Sequence, residues 1–218
     1  SNPRFIRQLQ LSTNGYAIDI HIAGRYAYFA NGFDGLRIFD LINPSNPVPV
    51  GLHQPTNNSV MAITGDGNRA YLGTFKGFEI LDISSPSTPR SVGKYPTSNA
   101  GLGIAVRGNY AYLANRGLGL EIIEIADPTK PRKLSSVAFP NARRVVLSGQ
   151  YAYVTANTEL HVFEVTDPLK PRRIGGYDAN PTLYNTAGTA AGLDVAGGHL
   201  YVADGSEGLQ IVRAANPA

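Results

Sequence analysis

The chain has 218 residues, 43% of them hydrophobic and only 16% charged, with 24 glycines, 15 prolines and no cysteine. Lacking cysteine, it cannot form disulfides, thiolate nucleophiles or cysteine-based zinc sites, and no apolar run approaches the roughly 18 residues of a membrane span. The formal charge is +3, but the cations are scattered apart from the neighbours Arg132-Lys133, Arg143-Arg144 and Arg172-Arg173, so no nucleic-acid footprint is expected.

In chain order, residues 1–10 open with SNPRFIRQL, a stretch that precedes the first repeating unit. AIDIHIAG (17–24) alternates and stops at a glycine, as a half-buried strand ending in a turn does. RYAYFAN (25–31) places two tyrosines two apart, on one face of a second strand. GLRIFDL (35–41) reads as a third strand, NPSNP (43–47) as a turn whose prolines forbid pairing, and PVGLH (49–53) as a fourth strand. The same sentence then recurs. Tyr28, Tyr71, Tyr112, Tyr153 and Tyr201 mark it at intervals of 43, 41, 41 and 48 residues.

Four short strands per unit cannot bury both faces of their own sheet. Five such sheets set radially bury one another, which predicts an all-β, five-bladed β-propeller of four-stranded antiparallel blades. The expected organisation is a single domain over 1–218, with units at about 17–58, 59–99, 100–140, 141–189 and 190–218. The last unit ends AANPA, without a fourth strand, and SNPRFIRQL resembles that missing piece. Residues 1–10 are therefore expected to complete the last blade and close the ring, leaving no free sheet edge at the seam.

The third strands GLRIFD (35–40), GFEILD (77–82) and GLEIIE (119–124), each preceded by a Tyr-containing strand and followed by a Pro-x-x-Pro turn, resemble the LVIVD repeat family of bacteria and archaea. The resemblance implies a propeller and a cell-surface or secreted setting, and brings no catalytic motif with it. Unit four, ELHVFEV, lacks the leading glycine, and unit five has Arg213 where an acid is expected.

A five-fold repeat is its own control: what every unit shares serves the architecture, and a ligand site should lie where units differ. Asp40, Asp82, Glu124 and Glu164 share one position, and Asp127 and Asp167 another, so they are expected to hold turn amides and neighbouring strands. Along the first strands, counted back from the glycines at 24, 65, 108, 149 and 197, one alternate set is apolar: Ile20, Ile22, Met61, Ile63, Ile104, Val106, Val145, Leu147, Leu193 and Val195. It is expected in the inter-blade core. The other set is small or polar and is expected near the channel: Val60, Ala62, Gly103, Ala105 and Val146, with Gly192 and the polar Asp19, His21, Arg144 and Asp194.

Two readings of Asp19, His21, Arg144 and Asp194 stay open, with Arg143 nearby. The first is an ion-paired channel lining; the second is an enzyme with Asp194 or Asp19 as base, His21 as proton shuttle and Arg144 or Arg143 holding an anionic group. No metal or cofactor is expected. His53, His161 and His199, read as lying in a loop, an outer strand and a turn, lack metal-ligand spacing, and DGSEG (204–208), with Asp204 and Glu207, lacks a full set of calcium oxygens. There is no phosphate-binding glycine loop, no G-x-S-x-G and no HExxH.

Aromatics supply the second asymmetry. Tyr16, Tyr95, Tyr177 and Tyr184 lie in or beside the segments joining one blade to the next, which share an end of the propeller with the loops carrying Phe33, Phe75 and Arg116. With Arg143, these residues make the candidate ligand rim; packing over the blade ends is the alternative. The expected function is a non-enzymatic, monomeric binding module for a protein, peptide or glycan, outside the cytoplasm: extracellular, on the cell surface or periplasmic. The chain begins at Ser1 with no signal peptide.

Overall fold

The computed structural model describes residues 3–9, 15–56, 59–156, 159–178, 192–204 and 208–214. Among them, nineteen strands form five antiparallel sheets in simple meander order. Blade one holds β1 (Asp19–Ala23), β2 (Tyr26–Ala30), β3 (Leu36–Asp40) and β4 (Val48–His53). Blade two holds β5 (Val60–Asp66), β6 (Arg69–Thr74), β7 (Gly77–Asp82) and β8 (Arg90–Pro96). Blade three holds β9 (Gly101–Arg107), β10 (Tyr110–Asn115), β11 (Gly119–Glu124) and β12 (Arg132–Val137). Blade four holds β13 (Ala142–Ser148), β14 (Tyr151–Ala156), β15 (Glu159–Glu164) and β16 (Arg172–Asp178). Blade five holds β17 (Leu193–Ala196), β18 (His199–Asp204) and β19 (Gly208–Arg213). The fold is a five-bladed β-propeller.

The first two strands of each blade meet at a glycine in left-handed conformation: Gly24, Gly67, Gly108, Gly149 and Gly197 have φ of 56°, 57°, 56°, 53° and 56°, which costs a side-chain-free residue nothing. In blade two the turn is therefore at Gly67 and not Gly65, because β5 runs on to Asp66. Its register shifts accordingly: Thr64, not Ala62, faces Tyr71 as His21 faces Tyr28. Met61 falls at a register break between Val60 and Ala62, and similar breaks fall at Leu102 and Arg143. Each extra residue tightens the bend where a strand enters the hub.

Both faces of an interior blade are dry, which corrects the expected division of the first strands into core and channel sets. Ala62 packs in one cluster with Ile104 and Leu113 of blade three, Ala105 packs with Val145 and Val154 of blade four, and Val146 packs with Leu200 of blade five. One alternate set meets the preceding blade and the other the following blade. The strand edge, not a side-chain face, looks on the channel. Tyr28, Tyr71, Tyr112 and Tyr153 are all buried in these junctions, each ring removing roughly 2–3 kcal/mol worth of apolar surface from water.

Four junctions are filled this way: blades one–two, two–three, three–four and four–five. Among the described residues, no buried cluster joins blade five to blade one. Ile20 and Ile22, expected in the inter-blade core, are 51% and 52% exposed, and across the seam Leu209 and Ile211 are 61% and 58% exposed.

The outer strands dock on the proline turn of the following blade. A Cβ on Gly51 would stand 2.0 Å from the Pro86 carbonyl oxygen, and one on Gly93 2.0 Å from that of Pro128; blade three has Ser135 at this position, whose hydroxyl donates to the Pro168 carbonyl at 2.6 Å. PRFIRQL (3–9) aligns with PRKLSSV (131–137) and PRRIGGY (171–177), which puts Arg7 at the place of Ser135. Its guanidinium donates to Asn46 Oδ1, in the proline turn of blade one, at 2.6 Å. Residues 3–9 thus stand against blade one as an outer strand of blade five would. They form no strand, however, and the fifth sheet has three strands among the described residues. Pairing draws its stability from side-chain packing, and here Phe5 and Ile6 are exposed to solvent. Residues 1, 2 and 10 lie outside the described residues.

Candidate functional site: the hub and the aromatic rim

The first strands of all five blades surround a central cavity of about 390 Å³, lined by Ile18, Thr64, Gly103, Arg144 and Gly192 among others. By register, Asp19, Ala62, Gly103, Arg144 and Gly192 occupy equivalent positions. The three small residues leave room for the two long ones. Arg144 crosses from blade four to blade one, its Nη1 3.1 Å from Asp19 Oδ2. It also donates to the Ile18 carbonyl at 3.2 Å and the Leu102 carbonyl, in blade three, at 3.3 Å. Asp19 in turn accepts from the Ile20 and Ile63 amides at 3.0 and 3.1 Å. The two side chains are 13% and 27% exposed, so the pair is largely desolvated and both charges are met by opposite charge or backbone dipoles.

His21 and Asp194 stand apart from this pair. The His21 ring occupies the space left by Gly65 in blade two, where a Cβ would lie 2.6 Å from its Nε2. Burial holds its pKa below the usual histidine value, with Asp19 pulling weakly the other way. Asp194 is exposed, its Oδ1 accepting from the next amide, Val195, at 2.8 Å. The structure therefore joins Asp19 to Arg144 and leaves a proton relay through His21 and Asp194 without a hydrogen bond among the described residues. Among them, too, no cluster of three metal-ligating side chains is found. Glu207 lies outside the described residues.

Buried charge lies instead where the sequence pattern marks none, at the centre of the third strands. Glu79 and Glu121 are 2% and 0% exposed. Glu79 Oε1 lies 3.3 Å from His53 Nε2 and 3.2 Å from Lys94 Nζ; burial alone would raise its pKa, but His53, Ser91 and Lys94 outweigh that and hold it below the usual value. Glu121 accepts from the Tyr95 hydroxyl at 3.2 Å and the Asn115 amide at 2.8 Å, with Lys133 Nζ 3.8 Å away. Burial and the Glu121 charge push Tyr95 up to about 12. In blade four the equivalent residue is His161, 3.0 Å from Glu159 and with its ring centroid 4.5 Å from that of Phe139. Burial lowers its pKa. In the first two cases an outer-strand side chain of one blade, His53 or Tyr95, reaches the buried carboxylate of the next. His53 thus ends β4 rather than lying in a loop, His161 belongs to a third strand, and His199 opens β18.

The shared carboxylates do what their repetition implies. Asp40, Asp82, Asp127 and Asp167 accept from the amides two residues on, at 2.9, 2.8, 3.0 and 2.9 Å. Glu124 pairs with Arg132 and Glu164 with Arg172.

On the rim, Tyr16, Phe33 and Phe75 are 61%, 65% and 48% exposed, and Arg116, in the corresponding loop of blade three, is exposed as well. The loops that carry Phe33 and Arg116 are stitched to the start of the next blade by backbone bonds, and the Phe75 loop is stitched to the start of its own blade. Gly32 pairs with Val60, the Phe75 amide donates to Ser59 at 3.0 Å, and the Asn141 amide donates to the Arg116 carbonyl at 2.7 Å. Asn141 takes φ of 60° to make that bond. Tyr16 lies over Gly32, where a Cβ would be 3.8 Å from its ring. Tyr95 directs its hydroxyl inward to Glu121, and Arg143 is half-buried at its register break. The backbone of Tyr177 lies in β16, and Tyr184 falls outside the described residues.

A family model of the LVIVD repeat matches residues 14–53, 59–97, 102–138, 141–179 and 187–218, one match for each blade. The chain belongs to the LVIVD repeat family. Each LVIVD repeat thus corresponds to one blade, and in the first three the last strand docks on the next repeat. No curated protein matches the sequence. Among solved structures, the LVIVD chain is similar to the computationally designed Ika8 protein, with a TM-score of 0.65 at 9% identity over 89% of this chain and 57% of that one. It is also similar to the computationally designed Ika4 protein, with a TM-score of 0.55 at 10% identity over 72% of this chain and 92% of that one. At such identities the likeness shows fold alone. No helix among the described residues is long and apolar enough to cross a membrane.

Proposed function

We propose that this LVIVD repeat chain is a binding module, not an enzyme, which presents its aromatic rim to a protein, peptide or glycan in an extracellular, cell-surface or periplasmic setting. The observation that carries the reading is the exposure of Tyr16, Phe33 and Phe75, with the Phe33 and Phe75 loops both fixed by backbone bonds to the start of blade two. Rings held this way present large contact area with little ordering cost on binding. The hub supports the same reading. Asp19 and Arg144 satisfy each other, whereas a general base needs an unencumbered carboxylate or imidazole within reach of a substrate.

Glycan and peptide arrays test this. Wild-type protein is expected to give discrete positives, and Phe33→Ala with Phe75→Ala is expected to weaken them at least tenfold. Thermal stability should move by no more than about 0.5 kcal/mol, as for other exposed substitutions. Blank arrays, or undiminished binding by the double variant, would overturn the proposal.

A further inference from the structure

The end of the propeller opposite the rim, where the glycine turns and proline turns lie, holds a cavity of about 380 Å³ between blades three and four. Arg107, Tyr110, Tyr112, Gln150, Thr166 and Pro168 are among its walls. The cavity falls at the small end of ligand pockets.

Its chemistry is set by one residue that the repeat does not share. The position of Arg107, opposite the first residue of the second strand, is Ala23, Asp66, Ser148 and Ala196 in the other blades. Arg25, Arg132, Arg144, Arg172 and Arg173 each have a carboxylate within 4 Å. Arg107 is half-buried, and among the described residues none lies that close to it. Its guanidinium lies 5.8 Å from the centre of the Tyr112 ring and donates Nη1–H to the Gly149 carbonyl across the junction. A guanidinium has five N–H donors, so most of this one's capacity is unfilled. The nearby acid, Asp167, turns Oδ1 to the Leu169 amide at 2.9 Å and to no arginine. The Thr166 hydroxyl and Gln150 amide bond to each other at 3.2 Å on the same wall.

We propose that this cavity is a binding site for a small carboxylate with a planar apolar body. The carboxylate takes the free N–H groups of Arg107, and the body lies against Tyr110, Tyr112 and Pro168. A fixed guanidinium fork over an aromatic ring suits a planar anion better than a point charge would. The site stands at the other end of the molecule from the rim, so the two proposals succeed or fail independently.

A titration followed by amide NMR tests it, with benzoate as probe, benzamide as its neutral isostere and acetate as the carboxylate without a body. Benzoate is expected to shift the Gly108, Gly149 and Thr166 amides saturably, with a Kd on the order of 1 mM, as suits a ligand of so few atoms. Benzamide and acetate should each bind at least tenfold more weakly. Arg107→Ala should lose benzoate binding and Arg107→Lys should keep only part of it. Should Arg107→Ala fail to fold, the benzoate and benzamide comparison on wild-type protein decides alone. Equal binding of benzamide, no saturation by benzoate, or shifts centred on Ile18 and Gly103 instead would overturn the assignment.

Discussion

Glu121→Ala is expected to lower the stability of the propeller by about 3–4 kcal/mol, within the range for removing one partner from a buried charged network. Glu121 is 0% exposed and takes hydrogen bonds from Tyr95 of blade two and Asn115 of its own blade. Alanine takes the acceptor from the Tyr95 hydroxyl, leaves the Asn115 amide only the Thr97 hydroxyl at 3.3 Å, and opens a void at a packed junction. Glu121→Gln keeps an acceptor for the Asn115 amide and turns its NH2 to the Tyr95 hydroxyl, which can accept, so it should lose only about 1 kcal/mol. For a chain of this length, the alanine variant should unfold about 6–16 °C lower. Urea and thermal unfolding of both variants check this. A Glu121→Ala protein as stable as wild type would mean that the junction of blades two and three does not depend on this contact.

Arg144→Ala is expected to cost about 3 kcal/mol, at the low end for a broken buried pair because Asp19 keeps partial access to solvent. Three acceptors lose a donor together: Asp19 and the carbonyl of Ile18 in blade one, and the Leu102 carbonyl in blade three. Arg144→Lys restores the charge without the fork that reaches all three, and should recover less than half of the loss. The same variant separates the two readings of the hub. Catalytic groups are commonly held at a cost to stability, so replacing one tends to leave stability unchanged or raised; a brace between blades must do the opposite. Equilibrium unfolding of the single variants and of Asp19→Ala with Arg144→Ala measures the coupling of the pair.

The architecture is legible because it is written five times. Period-two strands, Tyr pairs and Pro-x-x-Pro turns recur at nearly constant spacing, and no tertiary knowledge is needed to see that such units must bury one another. The meeting of Asp19 with Arg144 is also visible, as polar letters at equivalent positions in otherwise small or apolar strands. The rest is hidden for identifiable reasons. In a propeller both faces of a blade are dry, so the small alternate residues Ala62, Ala105 and Val146 read as channel-facing when they face the next blade. Glu79 and Glu121 read as solvent letters within an alternating strand, because the outer strand that covers them comes from another repeat. The clue is their equivalence with His161, Gln210 and Arg37, which makes the central third-strand residue polar in every blade. In blade two, Gly65 reads as the turn because it precedes Asp-Gly; its lack of a side chain serves His21 instead.

Among the described residues the blades keep one another dry through four filled junctions, and the seam between blades five and one is held least. Native-state hydrogen exchange measures this strand by strand. Strands β6, β7, β10 and β11 are expected to exchange only through the largest openings, while β1, β18 and β19 exchange through smaller ones of clearly lower free energy. Uniform protection around all five blades, with β1 and β19 as slow as β10, would contradict it.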